Sequence, residues 1–252
     1  VTTGDDEERS EGAGARHGAS YRSPSRAGYD GAVKDGAEPI AIATEAAPLA
    51  GLLWRPAGAR VLYVLGHGAG AGMHHRFMIA IAAALAERAV ATLRWEMPAM
   101  TAGRSRADHP RVVRPLARAA CLYGATLGLP VVAGGKSMGG RMTSEAAAAA
   151  PIPGLRGLAF LGFPLHPAGA PAITRADHLD AIALPMLFVS GTRDALATPA
   201  LLDGVLARLA PRAQRVSISE GDHGLDVPKR AGIDPVAIAA DAIATWAHAR
   251  LP

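Results

Sequence analysis

Pro130-Val131-Val132-Ala133-Gly134-Gly135-Lys136-Ser137-Met138-Gly139-Gly140 decides how this chain is read. Pro130–Gly134 is an apolar run of strand length. The residues after Ser137 run through Glu145 into alanines ending at Ala150, which reads as a helix. Between them lies Gly135-Lys136-Ser137-Met138-Gly139, a G-x-S-x-G turn. Such a turn is too tight for side chains at its flanking positions, hence the glycines. It holds a serine hydroxyl out at the strand's C-terminal edge, beside a free backbone N–H. The plainer reading of Ser137 is a helix N-cap. That reading leaves the flanking glycines and the upstream strand unexplained.

Outward from this segment, apolar runs alternate with helical ones. Ile40–Thr44 and Leu49–Trp54 predict a short antiparallel pair. Strands are expected at Arg60–Gly66, Ala89–Trp95, Gly157–Phe163, Leu184–Ser190 and Arg215–Ser219. Helices are expected at Phe77–Arg88, Pro110–Leu127, Pro199–Ala210 and Pro235–Arg250, with a polar loop around Pro98 and Gly103. Continuous apolar runs mark strands buried on both faces. Their alternation with helices predicts an α/β fold, a mostly parallel sheet with helices on both faces and an antiparallel N-terminal edge. The interval Phe163–Leu184 is too short for a large lid domain. In such sheets ligands bind beyond the carboxyl ends of the strands.

The chain has 252 residues, half of them hydrophobic, enough for one large core. Residues 1–36 differ from the rest, being rich in Gly, Ser, Arg, Asp and Glu. They are expected to form a disordered tail, or an upstream extension, the chain beginning with Val1. The domain is expected over residues 37–252. A net charge of +4 with scattered arginines argues against nucleic-acid binding. Cys121 is the lone cysteine, so no intramolecular disulfide can form. No run reaches the roughly 18–20 apolar residues of a membrane span. The acidic stretch Asp5–Glu8 reads against a secretory leader, and the cytoplasm is the expected compartment.

A serine hydroxyl attacks carbon only with a base to take its proton and an acid to orient that base. Asp194 follows the strand Leu184–Ser190, and His223 follows Arg215–Ser219. The order Ser137, Asp194, His223 places all three at predicted carboxyl ends. Taken singly, Asp194 reads equally as a turn or cap residue and His223 as a solvated loop histidine. An oxyanion site needs two N–H donors. Met138, directly after the serine, supplies one, and Ala69 or Gly70 in the loop Gly66–Gly72 is expected to supply the other. His67 is expected to hydrogen-bond within that loop.

Two other motifs compete for these residues. Gly135-Lys136-Ser137 resembles the end of a phosphate-binding P-loop, but Pro130 stands where that loop needs its first glycine. Gly66-x-Gly68-x-x-Ala71 fits a dinucleotide fingerprint, and Arg94 could meet a 2′-phosphate, which would make an NADP-linked oxidoreductase. Gly72 and His74-His75 then fall where the helix should already run. His74-His75, His166 and Asp177-His178 show no metal-ligand spacing. Met73, Met78, Met97 and Met100 read as core or pocket wall. Arg94, Arg104, Lys136 and Arg141 lie near the strand ends. They suit an anionic substrate, but solvated surface charge is the expected reading. No cofactor and no metal are expected.

His67-Gly-Ala-Gly-Ala-Gly-Met73, Gly134-Gly-Lys-Ser-Met-Gly-Gly-Arg-Met142, Leu161-Gly-Phe-Pro-Leu-His-Pro167, Ser190-Gly-Thr-Arg-Asp194 and Gly221-Asp-His223 together resemble one α/β-hydrolase family. It holds small bacterial dienelactone-hydrolase-like serine hydrolases and the hydrolase-like domain of a eukaryotic chromatin acetyltransferase complex subunit. The resemblance covers residues from about 40 to 250. It implies the α/β-hydrolase fold and the triad roles of Ser137, Asp194 and His223. It does not settle the reaction: many bacterial members have no assigned substrate, and the chromatin relatives resemble interaction modules. The short interval Phe163–Leu184 leaves an open site that suits small acyl groups; the alternative is an interaction module with an idle triad. One departure is visible. Where the family shows a serine and an aromatic residue after the histidine, this chain has Gly224-Leu225-Asp226.

Overall fold

A computed structural model of the chain describes residues 36–104 and 106–250. The tail expected over residues 1–36 lies outside the described residues, Gly36 aside. Eight strands form one sheet: β1 (Glu38–Ile42), β2 (Leu49–Trp54), β3 (Val61–Gly66), β4 (Val90–Trp95), β5 (Val131–Lys136), β6 (Leu155–Leu161), β7 (Met186–Gly191) and β8 (Ala213–Ile218). Their spatial order is β1-β2-β4-β3-β5-β6-β7-β8. β1, β2 and β4 pair antiparallel, and every pair from β4 to β8 is parallel. The mostly parallel sheet with an antiparallel N-terminal edge is therefore as the sequence predicted.

Two cores sandwich the sheet. In β3, Leu62 and Val64 point to one core while Val61, Tyr63 and Leu65 point to the other. This period-two split repeats in β5, β6 and β7, which explains why each reads as an unbroken apolar run. Helices α3 (Pro110–Ala125), α4 (Met138–Ala149) and α5 (Pro199–Leu209) cover the first face. Helices α1 (Arg76–Ala86) and α6 (Pro235–His248) cover the second. No helix among the described residues is long and apolar enough to cross a membrane.

The sequence placed β1 two residues late. Its register against Leu49–Leu53 is set by the hairpin, whose turn is held by Thr44 Oγ1 donating to Ala47 O at 2.5 Å. Where a polar loop was expected, Pro98–Thr101 forms a short helix, α2. Its support comes from Asp108, a buried carboxylate that accepts the Ala99 N–H at 2.6 Å. The stretch between β6 and β7 holds a 3₁₀ segment, Thr174–Ala181, and no separate lid. His178 of that segment meets Ser144 Oγ of α4 at 2.8 Å and lies beside Phe163.

The elbow itself rests on backbone contact. A Cβ on Gly135 would lie 2.1 Å from Gly66 O, and one on Gly139 would lie 2.3 Å from Gly66 C. Gly135 also has φ of 137°, outside the range of L side chains. Both glycines let the end of β5 and the start of α4 press onto the end of β3.

Two outcomes follow. Gly135→Ala should destabilise the protein by on the order of 4 kcal/mol, or abolish folding, because no flexible atom can yield. Urea unfolding or soluble yield measures this. Burial, followed by the nearby Arg141 and Arg114 charges, holds the His178 imidazole down to about 4 from 6.5. The unfolded chain therefore binds the extra proton between those values, so stability falls as pH drops from 6.5 towards 4. The His178→Gln stability difference from wild type should shift by up to about 3 kcal/mol over that window in pH-dependent melts.

Candidate active site

Ser137 leaves β5 with φ 47° and ψ −114°, a conformation that non-glycine residues avoid. Its N–H donates to Leu161 O at 3.0 Å, and its own carbonyl accepts from Arg141 of α4 at 3.1 Å. Its side chain makes no cap bond to α4. The hydroxyl is turned away from the helix, so the capping reading does not describe it. Strain of this kind costs on the order of 1–3 kcal/mol and persists where surrounding structure over-determines it.

The structure brings the three predicted residues into one line. Ser137 Oγ lies 2.8 Å from His223 Nε2. His223 Nδ1 lies 3.0 Å from both Asp194 oxygens. Asp194 is buried, and its Oδ1 also accepts the Leu196 N–H at 2.8 Å. A carboxylate only accepts, so the proton between the two sits on Nδ1. Nε2 then offers its lone pair to the serine hydroxyl. The His223 side chain keeps about a quarter of its surface exposed (24%), so the line opens to solvent at the base and is sealed at the acid.

The loop after β3 is anchored from below. His67 is fully buried, with Nε2 2.8 Å from Glu96 Oε1 and Nδ1 2.7 Å from Gly68 O. Glu96 also accepts the Met73 N–H at 3.1 Å. Arg94, fully buried, donates to Met73 O at 3.1 Å. These groups grip the loop at both ends, while Ala69 and Gly70 at its tip are exposed. Position 68 packs beside the elbow, where an added Cβ would sit 3.7 Å from Ser137 Cβ. The loop thus reaches the serine, and α1 begins only at Arg76, capped by His75. A dinucleotide turn needs its helix to start within the glycines, so the fingerprint reading fails on geometry.

Solvated surface charge describes Arg104, which is exposed while pairing with Asp108 at 3.0 Å, but not the others. Arg94 is internal, and Arg141 pairs with Glu145 at 3.0 Å. Lys136 is turned inward and donates from Nζ to His223 O at 2.5 Å. Glu96 and Lys136 are the contributors whose functions were not readable in the sequence. Each acts through a contact many residues away, and no local pattern marks either.

A second serine–histidine contact, Ser144 with His178, has a different character. Ser144 is fully buried in α4, and its hydroxyl donates to Arg141 O at 2.8 Å. With its proton so placed it accepts from His178, and the pair ties the 3₁₀ segment to the helix.

A protein-family profile described as an alpha/beta hydrolase domain matches residues 59–249. The chain belongs to the alpha/beta hydrolase family. Solved structures carry the same fold. A dienelactone hydrolase from Anabaena variabilis superposes with a TM-score of 0.70 at 20% identity, covering 86% of this chain and 98% of that one. A serine hydrolase without lid from Xanthomonas campestris gives 0.65 at 19%, covering 86% and 95%. The esterase domain of a Rhodothermus marinus protein gives 0.66 at 16%, covering 84% and 98%. No curated protein matches the sequence. At these identities the structural likeness speaks for the α/β-hydrolase fold.

Glu96 gives this α/β-hydrolase a testable dependence. Glu96→Ala strips the acceptor from the buried Met73 N–H, at about 1–3 kcal/mol for a donor left unpaired, and removes the Glu96 contact of His67. Glu96→Gln keeps one acceptor oxygen and should lose less. Chemical denaturation of the two variants checks the order.

Proposed function

We propose that this protein is a serine hydrolase cleaving carboxylic esters or similar small acyl substrates through an acyl-enzyme intermediate. The observation that carries the proposal is the 2.8 Å contact between Ser137 Oγ and His223 Nε2, on a strained elbow and in line with Asp194. The reading takes residues 37–252 as the hydrolase domain. The printed descriptions of the similar structures, a dienelactone hydrolase and an esterase domain, support the acyl class.

In this mechanism Ser137 Oγ attacks the acyl carbonyl carbon while His223 Nε2 takes the hydroxyl proton. Asp194 keeps the imidazole in the Nδ1–H tautomer and stabilises the imidazolium that forms. The tetrahedral oxyanion is met by the N–H of Met138 and by that of Ala69 or Gly70. Met138 opens α4, where the first N–H groups have no partner within the helix. Within the loop the Ala71 N–H donates to Gly68 O and the Gly72 N–H to His67 Nδ1, and the Ala69 and Gly70 N–H groups are the ones assigned to the oxyanion. Collapse breaks the bond from the carbonyl carbon to the leaving oxygen, and His223 returns the proton to the departing alcohol. Water then attacks the acyl-serine with His223 again as base. The acid is released and Ser137 recovers its hydrogen.

The absence of a separate lid between β6 and β7 leaves the approach to Ser137 open, which suits small acyl groups. Fluorophosphonate labelling tests the reading. Wild-type protein should be modified at Ser137, and folded Ser137→Ala should not. Hydrolysis of p-nitrophenyl acetate should fall by about 10³-fold or more in Ser137→Ala. A folded wild type that resists the probe would overturn the catalytic reading. It would point instead to a non-catalytic interaction module.

A further inference from the structure

Lys136 immediately precedes the serine, yet its side chain leaves the elbow and runs under the base. Nζ donates to the backbone carbonyl of His223 at 2.5 Å. The Phe77 ring lies beneath it, 5.8 Å from Nζ. Position 162 must be glycine for this passage, since a Cβ there would sit 3.1 Å from Nζ and 2.7 Å from His223 O. The carboxylates of Asp194, Asp222 and Asp226 surround the ammonium at longer range.

The base loop meets this bond at its centre. Its internal bonds close a small ring: Asp222 N–H to Asp226 O at 3.1 Å, Asp226 N–H to Asp222 Oδ1 at 3.0 Å, and Leu225 N–H to Asp222 O at 3.0 Å. That ring shapes the turn; Arg193 N–H donating to Gly221 O at 2.8 Å and the buried Leu225 side chain hold its two ends, and neither contact is made to His223 itself. Gly224 and Leu225 occupy the positions after the histidine, and neither side chain can hydrogen-bond. The Lys136 bond joins the turn at the very residue that carries the base.

We propose that Lys136 is a positioning residue that fixes His223 against Ser137. Both ends of the nucleophile–base pair then hang from one segment of β5. The ammonium donates a charge-assisted bond to the base's own carbonyl, so the imidazole cannot drift while its side chain exchanges protons with Ser137. Lys136 touches no reacting atom and acts through the His223 backbone. The inference rests on the serine-hydrolase reading above.

Burial lowers the Lys136 ammonium to about 8 from 10.5, the three carboxylates opposing that shift. The groups facing it are His75 at the start of α1, Asp194 after β7, and Asp222, His223 and Asp226 of the base loop. Above that pH the neutral amine keeps a weaker, uncharged donor. Activity should therefore decline with rising pH on an arm that belongs to Lys136.

The test uses the full chain and two probes, a fluorophosphonate and p-nitrophenyl acetate. Lys136→Met keeps length and bulk but removes the donor. Its labelling rate and kcat should fall about 10–100-fold, since small misplacements of reacting groups have effects of that size. KM should stay within about twofold, and the high-pH arm should vanish. Lys136→Arg, which can still donate to the carbonyl, should recover most of the rate. Labelling of Lys136→Met at the wild-type rate overturns the proposal and leaves the hydrolase reading intact. A wild type that labels nowhere overturns that reading instead. Should Lys136→Met not fold, the wild-type profile decides: a flat rate between pH 7 and 10 overturns the tether.

Discussion

Everything in this molecule hangs on the contact of three backbone segments at the sheet's C-terminal edge. The end of β3 at Gly66, the end of β5 at Gly135 and the first turn of α4 at Gly139 meet with no space for a side chain between them. That closeness forces the chain through Ser137 in a positive-φ conformation. The strain is held by the parallel pairing of β5 with β3 on one side and β6 on the other, both buried. The elbow is a local distortion carried by the most cohesive part of the sheet.

From there the site assembles by adjacency. Each functional group stands at the end of a parallel strand, and the order of strands sets which ends are neighbours. β3 delivers the glycine loop, β5 Ser137, β7 Asp194 and β8 His223, the proposed nucleophile, acid and base. The acid is sealed in the interior while the base keeps an opening to solvent. This asymmetry suits the proposed parts, because a fixed carboxylate orients best when dry and a general base exchanges protons with a ligand.

Polar groups buried near the site divide into two struts. Glu96 and His67, with Arg94, hold the loop after β3. Lys136 holds the turn after β8. Both struts couple a strand-end residue to the backbone of a loop. Hydrogen bonds to charged groups carry what packing cannot, because exposed glycine-rich turns bury too little surface to fix themselves. The Ser144–His178 pair plays the same part for the 3₁₀ segment, away from the reacting groups.

The amino-acid pattern by itself determined the layered α/β fold, because doubly buried strands and alanine-rich helices write their periodicity into consecutive residues. It also determined the serine elbow, since only glycines tolerate the close approach around Ser137. The chain order of Ser137, Asp194 and His223 could be read, but not that they meet within hydrogen-bond distance. That distance depends on the packing of β5, β7 and β8. The helix at Pro98–Thr101, the inward turn of Lys136 and the grip of Glu96 were decided by tertiary structure alone. Each depends on a partner distant in sequence: Asp108, His223 and Met73. A charged side chain reads the same in a sequence whether it meets water or a buried carbonyl, and only the fold chooses between them.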